Sequence, residues 1–451
     1  MKKLIAITVM IALCVAAAFA DTTISGAVET RLTVFKGQFG DYGKLYKNKY
    51  PKFTTNGEVG TAWFQMTATN SEGTMGGTFR LRGQDIDNTT RWHKVNVWWK
   101  PIPQLKVFLG QDADGMFERG QLTSWAFHQG SEGFLVVHNW DFWRCIFPGN
   151  FDTMGVALSF YLVDGLELNL VAPIGKPDGW PRHRDTDYKA SHEWDVIWPS
   201  SLQLLGGYQI GDIGKVHFAW IGRGSWTENN PGAFRFYDEG HAWNKFTKTY
   251  GTVHLSFFSG MIQGLQFQVG ASMDIQNTGK ADVNKNGTVE DNEYVVQKDE
   301  TNPIFTGAAV HFSAGDFGIK WRLGLQIETK TVQPKGGKFE SEKDGGYFLT
   351  TNVMPTYKIP ALGTVCLDIG FSLIQPGKEV ETVAGVDKAK APDAEYGFWL
   401  NPYLKKSING GYVQAGILYQ YNTSGSGVIR KNDASHDKPT ISFPVLMGMN
   451  F

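Results

Sequence analysis

The chain has 451 residues, a formal net charge of -1, 14% aromatic and 19% charged residues, and 3 cysteines. Glycine makes up 53 of the 451 residues, about 12% where about 7% is usual. This composition excludes a disordered chain, which is poor in aromatics, and a disulfide scaffold, which needs many more cysteines.

Residues 1 to 20 open with Lys2 and Lys3, run apolar from Leu4 to Phe19 and end Ala18-Phe19-Ala20. That is the pattern of a cleavable secretory signal, with an N-terminal membrane anchor as the alternative. The small residue that precedes a lipidated cysteine is missing before Cys14. The mature chain then runs from 21 to 451 as a single domain. Without Lys2 and Lys3 it carries 41 basic and 44 acidic residues, a formal charge of -3, so no global basic field points to nucleic acid. Cys145 and Cys366 are far apart in sequence, and their spacing leaves them either paired or free.

Beyond residue 20 no apolar stretch reaches the 18 or more residues that a membrane helix needs. The period is two instead. Leu265, Phe267, Val269, Ala271 and Met273 alternate with Gln266, Gln268, Gly270, Ser272 and Asp274. Ile319, Trp321, Leu323, Leu325 and Ile327 alternate with Lys320, Arg322, Gly324, Gln326 and Glu328. Val365, Leu367, Ile369, Phe371 and Leu373 alternate with Cys366, Asp368, Gly370 and Ser372. Such runs suit a strand that crosses a bilayer on a tilt, although a soluble sandwich alternates in the same way.

The connections separate the two readings. Short turns fall near 70–75, 101–104, 163–165, 211–214, 259–264, 314–316, 360–363 and 405–410, and longer polar stretches lie between them. Tight turns at one end and long loops at the other are the plan of a transmembrane barrel, with the turns periplasmic and the loops external. The spacing predicts an all-β, closed antiparallel barrel of 18 strands, or 16 or 20 if one hairpin is merged or missed. Closure follows from physics, because an open sheet edge in hydrocarbon leaves backbone groups unsatisfied.

If the apolar parity faces lipid, the other parity lines the interior. It carries Arg31, Arg80, Arg82, Lys94, Lys320, Arg322 and Glu328, together with Asn96, Glu167, Asn169 and Asp368. A barrel of this size leaves an aqueous channel, and a sealed or plugged interior is the alternative. Trp98, Trp99, Tyr357 and Phe398 fall near strand ends and read as an interfacial aromatic girdle.

The stretch 111–153 is long yet rich in aromatics. A fully solvated loop would not carry so many, so it folds against the barrel wall as a constriction or caps it. Asp112, Asp114, Glu118, Arg119 and Arg144 are its candidate selectivity charges, to be set against the strand arginines. Trp125, Trp140 and Trp143 are candidates for stacking on a sugar ring, or else they anchor the loop.

Residues 282–293 place oxygen ligands in the calcium-loop pattern. Asp282, Asn284 and Asn286 would bind through side chains, Thr288 through its carbonyl, Glu290 through water and Glu293 through both carboxylate oxygens, with Gly287 at the turn. The alternative is a solvated loop tip rich in Asn and Gly. Calcium is the cofactor implied, and its role would be to stiffen the 276–303 loop.

At the C-terminus Ile441, Phe443, Val445, Met447, Met449 and Phe451 alternate with small or polar residues, and Pro444 sits on the inward parity. A proline there is unusual in a paired strand. This segment resembles the last strand and targeting signal of bacterial outer-membrane β-barrel proteins, and the whole mature chain resembles the porin superfamily. The resemblance implies an outer-membrane location, recognition of the last strand by the barrel-assembly machinery, contact with outer-membrane lipid, and trimers. It also implies that the third external loop, here 111–153, folds inward.

The function expected is passive diffusion of small hydrophilic solutes, sugars among them, through a water-filled barrel. The rival is a surface adhesin or ligand-binding barrel that uses the long loops. No G-x-S-x-G or H-E-x-x-H motif occurs in the sequence, and enzymatic activity is not expected.

Overall fold

The computed structural model describes residues 20–39, 45–47, 52–55, 62–84, 89–112, 151–173, 202–226, 248–276, 279–280, 294–295, 304–327, 331–335, 338–343, 346–375, 379–383, 386–390, 393–422 and 439–450. Its main sheet contains 21 hydrogen-bonded segments. Leu45–Lys47 and Lys52–Thr55 pair with the first strand as extensions of the wall. Gly411–Gly416 and Leu418–Asn422 are one strand broken at Ile417, since both pair with the same two neighbours. The barrel therefore has 18 strands.

In chain order they are β1 (Ala20–Phe39), β2 (Ala62–Asn70), β3 (Met75–Gln84), β4 (Thr89–Ile102), β5 (Leu105–Asp112) and β6 (Phe151–Phe160). There follow β7 (Leu166–Pro173), β8 (Gln203–Ile210), β9 (Gly214–Trp226), β10 (Lys248–Ile262), β11 (Leu265–Gln276) and β12 (Ile304–Ala314). The last six are β13 (Phe317–Ile327), β14 (Tyr347–Ile359), β15 (Gly363–Gln375), β16 (Glu395–Ile408), the broken β17 (Gly411–Asn422) and β18 (Thr440–Asn450).

Each strand pairs antiparallel with its sequence neighbours, and β18 closes on β1 from Ala27 opposite Asn450 to Gln38 opposite Thr440. Every short turn expected from the sequence joins two strands at one end of the barrel, the end where β1 starts and β18 finishes. The calcium-like segment is flanked by a two-residue ladder, Gly279 opposite Val295 and Lys280 opposite Tyr294.

Period-two patterning becomes a two-faced wall. On β15, Val365, Ile369 and Phe371 are exposed on the outer face, while Cys366, Asp368 and Ser372 are buried on the inner one. From Val365 to Leu373 the outward apolar positions run nine residues, the length a tilted strand needs to cross hydrocarbon. The outer band also carries Ile24, Leu109, Leu170, Leu204, Leu255 and Met447, all exposed. A monomer in water rarely shows so continuous an apolar surface.

Aromatic pairs decorate the outer face: Phe398 lies 5.6 Å from Tyr419 and 5.8 Å from Tyr421, and Phe35 lies 5.5 Å from Phe443. Trp99 and Tyr357 are exposed there too, as expected of girdle residues. Trp98 is a correction to that expectation. It packs inward against the cluster of Phe108, Ala157, Val171, Leu205 and Ala219, because adjacent residues of a strand point to opposite faces.

Pro444 keeps its inward register position opposite Thr33, and the β1–β18 ladder shifts register immediately beyond it, between Thr33 and Phe35. A bulge at that point absorbs the missing N–H donor. The β2–β3 turn shows how the short connections are fixed. Asn70 Oδ1 accepts from the backbone N–H of Thr74 at 2.8 Å and of Met75 at 2.9 Å, and its Nδ2 donates to Thr74 Oγ1 at 3.0 Å. Gly73 takes φ +66°, which suits a residue without Cβ. Replacing Asn70 by Ala is expected to cost about 1 kcal/mol, since a typical hydrogen bond contributes about that much. The check is a lowered urea midpoint with an unchanged slope.

Candidate functional site: the inner wall

The inner wall is built from the parity opposite the lipid-facing one, and it is polar in most places and apolar in two patches. One apolar patch comprises Met354, Cys366, Trp399, Tyr403, Leu418 and Leu446, with Tyr412 against it. A second is the Phe108 cluster that receives Trp98. A further cluster of Ala68 and Phe79 with Leu81 and Val95 stands on the outward parity instead, since Val95 shares its face with the exposed Val97 and Trp99.

Between the patches lie hydrogen-bonding side chains. Asp368 on β15 accepts from Asn352 Nδ2 on β14 at 2.9 Å. Asn401 on β16 stands opposite Asp368 in register, and Arg322 on β13 stands opposite Asn352. Across the barrel circumference, Asn169 Nδ2 on β7 donates to Glu167 at 3.3 Å. On β10, His254 Nε2 and Ser256 Oγ share a hydrogen bond of 2.9 Å, with His217 of β9 in register beside Ser256.

Asn169, His217, Asp368, Asn401 and Gln414 are all 0% exposed. Some have no protein partner there. Both side-chain polar atoms of Gln268, Asn401 and Gln414 lack one, as do Asn169 Oδ1 and Ser272 Oγ. A buried polar group left unpaired costs about 1–3 kcal/mol. A wall with several such groups is therefore suited to an interior that brings hydrogen-bonding molecules to it.

A different chemistry lines β2 to β5. Arg80 stacks on Trp63 with its guanidinium carbon 4.1 Å from the ring centroid. Trp98 receives two ammonium groups, Lys106 at 4.9 Å and Lys100 at 5.4 Å. Lys405 of β16 lies 4.5 Å over Tyr412 of β17. Charge on the ring face is complementary to each cation.

Of the residues picked out from sequence, Arg80, Lys94, Lys320 and Arg322 stand on this wall, with Asn96, Glu167, Asn169 and Asp368. Arg80 and Lys94 face each other directly across the β3–β4 ladder. Lys320 and Arg322 occupy the opposite side of the barrel on β13. Arg31, Arg82 and Asp112 lie at backbone positions in β1, β3 and β5, and their side chains lie outside the described residues. So do the whole of Asp114, Glu118, Arg119, Trp125, Trp140, Trp143, Arg144, Glu328 and the calcium-loop residues Asp282, Asn284, Asn286, Thr288, Glu290 and Glu293. The connection between β5 and β6 spans 113–150, slightly shorter than the stretch expected.

The sequence reading missed Trp63, Lys100, Lys106, Asn352, Asn401 and Gln414. Extending the inward parity of each strand to its turn would have found the two lysines. Asn401 was masked by β16, where Phe398, Trp399, Leu400 and Tyr403 put apolar residues on both faces.

No protein-family model matches the sequence, and no curated protein matches it. Solved structures similar to the chain include the loop L8 deletion mutant of OmpT, an outer membrane protein of Vibrio cholerae, at 11% identity, with 96% of this chain and 99% of that chain covered and a TM-score of 0.47. The anion-selective porin from Comamonas acidovorans is similar at 10% identity, with 96% and 100% covered and a TM-score of 0.45. Pseudomonas aeruginosa OpdQ is similar at 11% identity, with 95% and 98% covered and a TM-score of 0.45.

Proposed function

We propose that the chain is an outer-membrane channel for passive diffusion of small hydrophilic solutes. The observation that carries this reading is the two-faced closed wall. Outside, a band of exposed apolar side chains fits hydrocarbon; inside, carboxamides such as Asn401, Gln414 and Gln268 have no protein partner. A core meant to stay dry would favour apolar side chains there, because unpaired polar groups are penalised in it. An aqueous path, or a solute within it, satisfies them.

In this reading β18 is the segment that the assembly machinery recognises, and protomers associate in the membrane as trimers. Purified, folded protein added to a planar lipid bilayer is expected to give discrete conductance steps. Folded protein that inserts and leaves the bilayer silent would overturn the channel and leave an adhesin or ligand-binding barrel.

A further inference from the structure

We propose that the short-turn rim carries an aliphatic collar that inserts into the lipid headgroup layer and fixes how deep the barrel sits. The partner is a surface of zwitterionic phospholipid, and the proposal rests on the reading of the outer band as membrane-spanning. Short turns are ordinarily built from Gly, Pro, Asn, Asp and Ser. Four consecutive ones, from β4 to β11, carry large aliphatic side chains as well. Ile102 ends β4, Leu162 and Val163 lie between β6 and β7, Ile213 lies between β8 and β9, and Met261 and Ile262 end β10. Each is more than half exposed, from 52% at Ile213 to 64% at Leu162. So much apolar surface left uncovered marks a contact.

Continuity with the outer band says what the contact is. On β6 the outward residues Val156, Leu158 and Phe160 lead to Leu162 on the same parity, while Ala157, Ser159 and Tyr161 are buried on the other. No polar side chain separates the collar from the band there. Leu362 in the β14–β15 turn and Ile408 at the end of β16, 48% and 51% exposed, repeat the feature on the far side of the barrel. A medium that surrounds the barrel reaches both sides at once, which one globular partner docked on a single patch does not.

Depth is the third support. Met75 and Phe317 stand in register with the girdle residues Trp99 and Tyr357, and the turns next to them end in Glu72 and Asp316. At these two turns the apolar face stops at the girdle. Ile102 instead lies three residues past Trp99, about 10 Å along the strand and about 8 Å along the membrane normal at a tilt of about 40°. The headgroup layer is about 5–8 Å thick on each side of the hydrocarbon, so collar and layer coincide. Beyond the collar come carboxylates. The Leu166 N–H donates to the Val163 carbonyl at 3.0 Å and the Ile213 N–H to that of Ile210 at 2.9 Å, which puts Asp164 and Asp212 at the centres of their turns. An apolar shoulder with an acidic tip follows the order of the layer, from the acyl boundary out to the ammonium groups and water.

The test reads depth with a fluorophore. In the full mature chain with Cys145→Ser and Cys366→Ala, an environment-sensitive NBD group is attached through Leu162→Cys, Ile213→Cys or Met261→Cys, one at a time. Glu72→Cys, Asp316→Cys and Leu255→Cys serve as references, and every labelled position is exposed, so the barrel closes as before. The folded proteins are placed in phosphatidylcholine–phosphatidylethanolamine vesicles that hold no other protein, with iodide on both faces. Collar labels are expected to emit at shorter wavelength than those at Glu72 and Asp316, to be quenched by nitroxide-bearing lipid and to be shielded from iodide. Collar labels that iodide quenches as fully as those at Glu72 and Asp316, with the Leu255 label shielded, overturn the proposal and leave the collar to a protein partner. A Leu255 label open to iodide removes the membrane reading itself.

Discussion

Leu255→Arg is expected to cost about 2–4 kcal/mol of folding stability in lipid vesicles, the range for a cation at the bilayer midplane of a barrel. Leu255 is in the middle of β10, 58% exposed, between Phe218 and Ala271 of the neighbouring strands. If that face met water, an added arginine there would change stability by less than about 0.5 kcal/mol. The companion substitution is Ile213→Arg, at the tip of the β8–β9 turn and 52% exposed. There the cost is expected to fall to about 0–1 kcal/mol, because the side chain reaches the interface. Urea titrations of both variants folded into vesicles measure the difference. Equal, small costs at the two sites would sink the membrane assignment and return the sheet to the soluble class.

The second large effect concerns the inner wall. Gly370 of β15 is opposite Trp399 of β16, and the indole lies flat across it, so that a Cβ on Gly370 would fall inside the ring. Trp399 is fully buried among Met354, Cys366, Tyr403, Leu418 and Leu446, where the Tyr403 hydroxyl donates to Met354 Sδ at 3.2 Å. The ring cannot swing aside without pushing into these neighbours. Gly370→Val is therefore expected to cost about 3 kcal/mol through overpacking, and Trp399→Ala about 3–5 kcal/mol through the cavity it leaves. Combined, the two should cost at least ~1 kcal/mol less than their sum, since each removes the reason for the other's penalty. Strictly additive losses in denaturant titrations would mean that the glycine is there for some reason other than the indole.

Both expectations depend on a face assignment, and the face assignment was the most legible part of the sequence. Ile369 and Asp368 differ by one position and therefore by 180° in direction, and the structure puts one in the lipid band and the other at zero exposure. The turns were equally clear, since Asn70, Gly73 and their counterparts are residues whose chemistry closes a chain reversal. Less was visible where parity and apolarity disagree. Trp98 and Trp99 read alike as girdle residues, but a strand can point only one of two neighbours outward. On β16 aromatics occupy both faces, so no alternation revealed Asn401. The bulge beside Pro444 and the break at Ile417 depend on partners far away in sequence: Thr33 for the first, and for the second Pro402, whose carbonyl accepts from the Ile417 N–H at 3.0 Å.

The candidate site was legible in type more than in detail. Arg80, Lys94 and Arg322 were found from parity alone, and the structure adds which of them face each other. It also adds the ring faces beneath the cations, because a contact between Trp98 and Lys106 is set by two strands meeting and by nothing in either strand alone.

The seam between β1 and β18 ties Ala27 to Asn450, so one edge of the first wall element waits for nearly the whole chain before it is paired. Contacts of such separation are the slow ones to form, because chain closure must be completed before any hydrogen bond rewards it. Until Thr440–Asn450 arrives, β1 and β17 each present an open row of amides and carbonyls, which hydrocarbon does not tolerate. Assembly is consequently gated by completion of the chain. A polypeptide that ends before β18 is expected to leave these two edges unpaired and so to fail to insert, rather than to close into a smaller barrel.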